Sequence, residues 1–170
     1  MHMILIYPGK DGNRLDEYQK VLQDYELAFF GDELEEKTMA DIIAQASKDN
    51  QRFEGKREPF LFFVKEDPKK LGSLMTALEQ QGLDTTRTAI LTDTNKDWKF
   101  KDLYKEINRE AEYFKKREVL ANVVSSADPD RIMKDEQYGK LMLTFYEMLK
   151  APQLEEEILD MALQAAASLK

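Results

Sequence analysis

The sequence contains no cysteine. That excludes disulfides, thiolate catalysis and zinc sites built on sulfur, and it is compatible with a reducing compartment. There is one histidine, His2, close to the start. Histidine is the commonest acid–base group near neutral pH and a common metal ligand. Its absence from the body of the chain argues against catalytic triads and His-ligated metals. Met1-His2 reads as a short overhang before Met3, which could serve as an alternative start. No apolar run approaches the roughly 18 residues that suggest a transmembrane helix. No basic stretch leads into an apolar region and a small-residue cleavage site, so no signal peptide is expected. A cytoplasmic protein is the default expectation.

Positive charge is also in deficit. The 170 residues include 33 acids and 25 bases, for a net charge of −8. Nucleic-acid affinity rests on neutralising phosphates with Lys and Arg, so an acidic chain is a poor candidate for nucleic acid and for an anionic membrane surface. The chain is 42% hydrophobic and 34% charged. The apolar residues are periodic, which fits a packed core under a heavily solvated surface rather than disorder.

The periodicity predicts alternating strands and helices. Met3 to Tyr7 is a continuous apolar run stopped by Pro8-Gly9, as in a strand buried on both faces. Asp11 or Asn13 is placed to cap a helix carrying Leu15, Tyr18, Val21, Leu22 and Tyr25. Leu27 to Phe30 is a second strand. Thr38 with Asp41 resembles a capping box before Met39, Ile42, Ile43 and Ala46. Residues 47–58 read as a loop. The order then restarts: strand Phe60 to Val64, a helix opened by Asp67-Pro68 and stopped by Gly82, strand Ala89 to Leu91, and a long helix with Phe100, Leu103, Ile107, Ala111 and Phe114 on one face.

Two β-α-β-α repeats, 3–46 and 59–118, are therefore expected. "KTMADIIAQ" and "KFKDLYKEI" are their best-matching segments after a small slide. The predicted class is α/β, with a four-stranded, mainly parallel sheet in the order 2-1-3-4. A ferredoxin-like mixed sheet is the alternative. Residues 1–126 form the expected α/β domain. Residues 127–170 read as a C-terminal helical hairpin: one helix after Asp128-Pro129 with Ile132, Met133, Leu141 and Phe145, a break at Pro152, and a last helix with Ile158 and Met161. This hairpin either covers the sheet domain or meets a homodimer or other protein partner; its methionines suit an adaptable surface and equally an ordinary core.

The stretch "LTDTNKDW" at 91–98 admits three readings. Asp93-x-Asn95-x-Asp97 copies the first ligands of an EF-hand loop, but the sixth position is Trp98 instead of Gly and the twelfth is Tyr104 instead of Glu, so calcium is not expected. Thr94, Asn95 and Asp97 can instead cap the following helix, with Trp98 tucked beneath its first turn. Or the stretch borders a ligand site. Open parallel sheets bind ligands at the carboxyl ends of their strands. Tyr7 to Lys10, Lys65 to Asp67 and Thr92 to Trp98 would share that edge, with helix N-termini favouring an anion. The candidate ligand-binding residues are Tyr7, Lys10, Thr92, Thr94, Asn95 and Trp98. Gly9 and Gly12 do not make a dinucleotide fingerprint, and there is no Walker lysine. No cofactor, metal or catalytic residue is called for.

The segment from about Phe60 to Phe114 resembles a bacterial family catalogued as domain of unknown function 3783. The likeness rests on "AILTDTNKDWKFKDLYKEINREAEYF": a strand ending at Thr92, then Thr94-Asn95, Trp98, and a helix with Glu112-Tyr113. Position 93 is Asp, where that family commonly has Pro. The resemblance implies no activity and no catalytic residue.

Charge alternation along 101–110 (Lys101, Lys105 and Arg109 against Asp102, Glu106 and Glu110) reads as a solvated helix face. The leading expectation is a non-catalytic, cytoplasmic interaction or regulatory module. A site for a small anionic metabolite is the alternative. An enzyme using carboxylates or Lys comes third.

Overall fold

The structure is a computed structural model that describes residues 2–48 and 53–169. The chain forms two compact units, Met1–Asn108 and Arg109–Lys170.

The first unit is a four-stranded sheet between two helical layers. Its strands are β1 (Met3–Tyr7), β2 (Glu26–Phe29), β3 (Phe60–Lys65) and β4 (Thr88–Ile90). They lie in the expected order 2-1-3-4. The outer ladders, β1–β2 and β3–β4, are parallel, and the central ladder β1–β3 is antiparallel. The sheet is thus mostly parallel by ladder, with one reversal at its middle. Each half is a strand–helix–strand crossover, as the repeat predicts.

The helices are α1 (Leu15–Val21), α2 (Met39–Gln45), α3 (Pro68–Gln80) and the start of α4 (Phe100–Ser125). Alternation along the strands sends Ile4, Ile6, Leu61 and Phe63 to one face, where Leu15, Tyr18, Leu74 and Leu78 of α1 and α3 cover them. Leu5, Tyr7, Phe60 and Phe62 face the other way, against Met39, Ile42, Phe100 and Leu103 of α2 and α4. Helices on both faces rule out the ferredoxin-like alternative, whose helices share one face.

The repeat is now a matter of register. Leu5 and Phe62 face one another across the central ladder, Leu5 pairs with Ala28, and Phe62 pairs with Ala89. From there a constant offset matches Thr38 to Lys99, Met39 to Phe100, Ile42 to Leu103, Ile43 to Tyr104 and Ala46 to Ile107. Thr38 and Lys99 meet directly in an antiparallel bridge. Around it Met39 N–H donates to the Trp98 carbonyl (2.9 Å) and Phe100 N–H donates to the Lys37 carbonyl (3.0 Å). The small slide needed to align the two segments is one residue.

Several local signals hold. Thr38 Oγ1 accepts from Asp41 N–H (3.2 Å), Asp67 caps α3 ahead of Pro68, and Gly82 ends it with φ +71°. Others do not. No side chain caps α1: Gly9–Asp11 forms a 3-10 turn instead, and the N-cap is Arg14. Observed β2 and β4 each begin one residue before the expected strand. Phe114 is 65% exposed and does not continue the buried face of α4.

The second unit contains the rest of α4 with α5 (Pro129–Lys134), α6 (Glu136–Lys150) and α7 (Glu156–Ala167). The expected single helix after Asp128 is two. Asp135 ends α5 and caps α6, its side chain accepting from Tyr138 N–H. Leu120, Tyr138, Met142, Phe145, Leu159 and Ala162 form the core. The Arg117 guanidinium donates to the carbonyls of Leu149 and Ala151, closing the end of α6. The units part within α4, whereas the sequence punctuation at Ser125–Asp128 lies where α4 ends.

Candidate functional site

Because β1 and β3 are antiparallel, their carboxyl ends lie at opposite edges of the sheet. Tyr7 to Lys10 share one edge with the end of β2. Lys65 to Asp67 and Thr92 to Trp98 lie at the other. The single shared edge expected from an all-parallel arrangement does not form, and the six candidate residues fall into two groups.

The edge at the ends of β1 and β2 holds a polar cluster. Tyr7 is fully buried, and its hydroxyl donates to Asp32 Oδ1 at 2.5 Å. The same hydroxyl accepts from Arg57 N–H at 3.3 Å. The Arg57 guanidinium reaches Asp32 at 3.2 Å and Glu35 at 2.8 Å. It lies over the rings of Phe100 and Tyr104, at 6.0 and 5.7 Å from the centroids. Lys56 N–H donates to the second Asp32 oxygen (3.1 Å), and the Tyr104 hydroxyl donates to the Glu58 carbonyl (3.1 Å). Lys10 is exposed and paired with Glu58 at 2.7 Å.

These bonds place residues 53–58 as a strap across the edge where a parallel β-α-β unit would receive a ligand. The two glycines after β1 admit it. A Cβ on Gly9 would lie 2.1 Å from the Arg57 carbonyl oxygen, and one on Gly12 would lie 2.1 Å from that of Phe53. Lys10 N–H donates to the Arg57 carbonyl and Asp32 N–H to that of Glu54. The open cleft beside the strap is lined by Asp32, Glu33, Glu35, Glu54, Lys56 and Arg57. Acids outnumber bases there, and Arg57 is already neutralised, so the field does not favour an anion.

Burial, then the bond to Asp32, pushes the Tyr7 phenol well above its ordinary value. Burial does the same to Tyr18. A buried phenol held neutral is poorly suited to proton transfer near neutral pH. Its chemistry here is that of a clasp between the strap and the sheet. Alkaline pH should open it. The folded-state pKa values are raised, so the tyrosine contribution is intact below about pH 10, where unfolded tyrosines begin to ionise, and declines above that. A spectrophotometric titration should show Tyr7 and Tyr18 ionising only as the fold opens. Ionisation of both near pH 10 with the fold intact would contradict this.

At the other edge, Thr92, Thr94, Asn95 and Trp98 are neighbours in one loop. Thr92 and Asn95 bond reciprocally: Thr92 N–H donates to Asn95 Oδ1 (2.8 Å), and Asn95 N–H to Thr92 Oγ1 (3.0 Å). Asn95 Nδ2–H donates to the Ile90 carbonyl (2.8 Å). Thr94 precedes a 3-10 turn, Asn95–Asp97, without capping it through its side chain. None of these residues caps α4. Its first N–H groups are satisfied by tertiary partners, Phe100 N–H on the Lys37 carbonyl and Lys101 N–H on that of Glu35. Trp98, expected beneath the helix, is 39% exposed.

Asp32 and Arg57, which hold this cluster, carry no motif in the sequence: Gly31-Asp32 marks only the end of a strand, and Arg57 falls in the loop 47–58. The usable signal was glycine just beyond both strands, Gly9 after β1 and Gly31 after β2.

Among the described residues no helix is long and apolar enough to cross a membrane. Residues 59–114 match the family model described as Domain of unknown function (DUF3783). That span begins one residue before β3, includes α3 and β4, and ends within α4, so it coincides with the second repeat. No curated protein and no solved structure matches the chain.

Proposed function

Starting from a chain whose residues 59–114 belong to the family described as Domain of unknown function (DUF3783), we propose that it is a non-catalytic cytoplasmic module that binds a partner protein through its C-terminal helices. One observation carries the reading. Of the large hydrophobic side chains left exposed among the described residues, all but Ile90 and Trp98 belong to Arg109–Lys170. Met133, Leu143, Tyr146, Ile158 and Met161 are among them, although this small unit already has its own core. Scattered exposed apolar residues are ordinary, but their concentration in one small unit points to a contact surface. The polar cluster of the first unit supports the same view, since its charges and hydroxyls are spent on holding the strap.

The test is a paired substitution on exposed positions, Leu143→Glu with Met161→Glu. Both lie outside the core, so the thermal midpoint should stay within a few degrees of the parent. Proteins retained from native lysate by the full-length chain should be lost by at least about tenfold, the scale expected when charge enters an apolar contact. Equal recovery by both forms, or no specific recovery by the parent, would remove the basis of this reading.

A further inference from the structure

The internal repeat reveals a vacancy. In the first half of the sheet, Glu26 N–H bonds to the His2 carbonyl and Phe30 N–H to that of Ile6. Residues 26, 28 and 30 therefore face β1, and Leu27 and Phe29 turn their backbone groups outward. In the second half, the Arg87 carbonyl accepts from Leu61 N–H, and Leu91 N–H donates to Phe63. Residues 87, 89 and 91 face β3, and Thr88 and Ile90 turn outward. Ile90 is the counterpart of Phe29.

The two outer edges are finished differently. After α2 the chain returns in extended form, and Ser47 lies antiparallel on β2. Phe29 N–H donates to the Ser47 carbonyl (2.8 Å) and Ser47 N–H to that of Phe29 (3.0 Å). The counterpart of Ser47 is Asn108, but α4 continues as a helix through that position. Among the described residues no strand then lies on the outer edge of β4. Asn95 supplies half of the missing pair: its Nδ2–H donates to the Ile90 carbonyl, in the place Ser47 N–H takes on Phe29. Among the described residues nothing accepts from Ile90 N–H. The Ile90 side chain is 42% exposed.

An unpaired strand edge is a template for another strand. We propose that β4 pairs antiparallel with β4 of a second copy of this chain, joining two four-stranded sheets across a twofold axis. The antiparallel sense is the one Ser47 adopts on the matching edge, and it is the sense a twofold imposes on two identical strands. Thr88 then faces Ile90 of the second copy, and the reverse. Each Ile90 N–H gains the Thr88 carbonyl of the other chain. Each Ile90 carbonyl exchanges the Asn95 amide, which holds that place in the single chain, for the N–H of the other Thr88. The two exposed isoleucines come together on one face. This contact is separate from the C-terminal surface proposed above and does not depend on it.

Sedimentation equilibrium of the full chain over a wide concentration range tests the pairing. Reversible dimerisation is expected. Ile90→Pro removes only an outward N–H, and proline is tolerated on a strand edge whose N–H faces away from the sheet. It should leave the thermal midpoint near that of the parent and weaken the dimer at least about tenfold, as two lost hydrogen bonds per dimer require. Ile90→Lys, which keeps the N–H but places like charges together, should weaken it as well and covers the case in which the proline variant fails to fold. A strictly monomeric chain overturns the proposal. So does a dimer that survives folded Ile90→Pro or Ile90→Lys, and one lost instead with Leu143→Glu and Met161→Glu would assign self-association to the C-terminal surface.

Discussion

Phe100→Ala should lower stability by about 3–5 kcal/mol, the cost typical of truncating a buried phenylalanine. Phe100 has no solvent exposure. Its ring lies 4.8 Å from Phe30, 4.9 Å from Tyr7, 5.6 Å from Phe60 and 5.7 Å from Tyr104. Tilted and edge-to-face contacts of this kind add to the burial term. The position also starts α4, where Phe100 N–H is held by the Lys37 carbonyl of the first repeat. Losing the ring leaves a cavity where the two repeats meet, and the cation over its face, Arg57, loses part of its seat. Phe114→Ala is the control. Both phenylalanines sit on the same helical period in the sequence, yet Phe114 is exposed, and its loss should fall within about 0.5 kcal/mol of neutral. Urea unfolding measured on both variants decides it. Similar midpoints for the two would mean that Phe100 is not the packing centre described.

Gly9→Ala should cost on the order of 3 kcal/mol, a large effect for a single methyl. Gly9 has φ +54°, a region that L side chains avoid at about 1–2 kcal/mol. The new Cβ would also lie 2.1 Å from the Arg57 carbonyl oxygen and 2.9 Å from the Tyr7 ring. The first neighbour is backbone and the second is fully buried, so neither yields freely; overpacking adds about 1–3 kcal/mol. The strap would have to lift, and with it the bond from Lys10 N–H to Arg57. Gly72→Ala is the opposite case. Gly72 sits inside α3 with nothing within 4 Å of the added atom. Alanine there should stabilise the protein by roughly 0.5–1 kcal/mol through helix propensity. Thermal or denaturant unfolding of the two variants should move in opposite directions. A neutral Gly9→Ala would show that the strap does not hold the edge of β1 as closely as these distances require.

Much of this architecture follows from local chemistry. The runs Met3–Tyr7 and Phe60–Val64 read as strands buried on both faces because they are short, rich in β-branched and aromatic residues and bounded by proline. Thr38, Asp67-Pro68 and Asp128-Pro129 announced helices because their caps act on neighbours within a few residues. The repeat of element order was visible for the same reason, and it carried the strand order 2-1-3-4.

What local chemistry could not decide was anything that one segment supplies to another. Whether β1 and β3 run parallel or antiparallel is not written in either strand, and the sequence between α2 and β3 carries no period of its own. That choice sends Tyr7 and Thr92 to opposite edges. The first turn of α4 has no sequence cap because the carbonyls of Glu35 and Lys37 serve it from more than sixty positions away. Asn95 reads as a cap for the helix that follows, yet its amide turns back to the Ile90 carbonyl on the open edge of β4. Periodicity determined by itself which residues are strands, which are helices and that they come in two copies. Tertiary structure decided where each strand end points, which backbone groups remain to be satisfied and which partner satisfies them, because a hydrogen bond is set by geometry in space and not by distance along the chain.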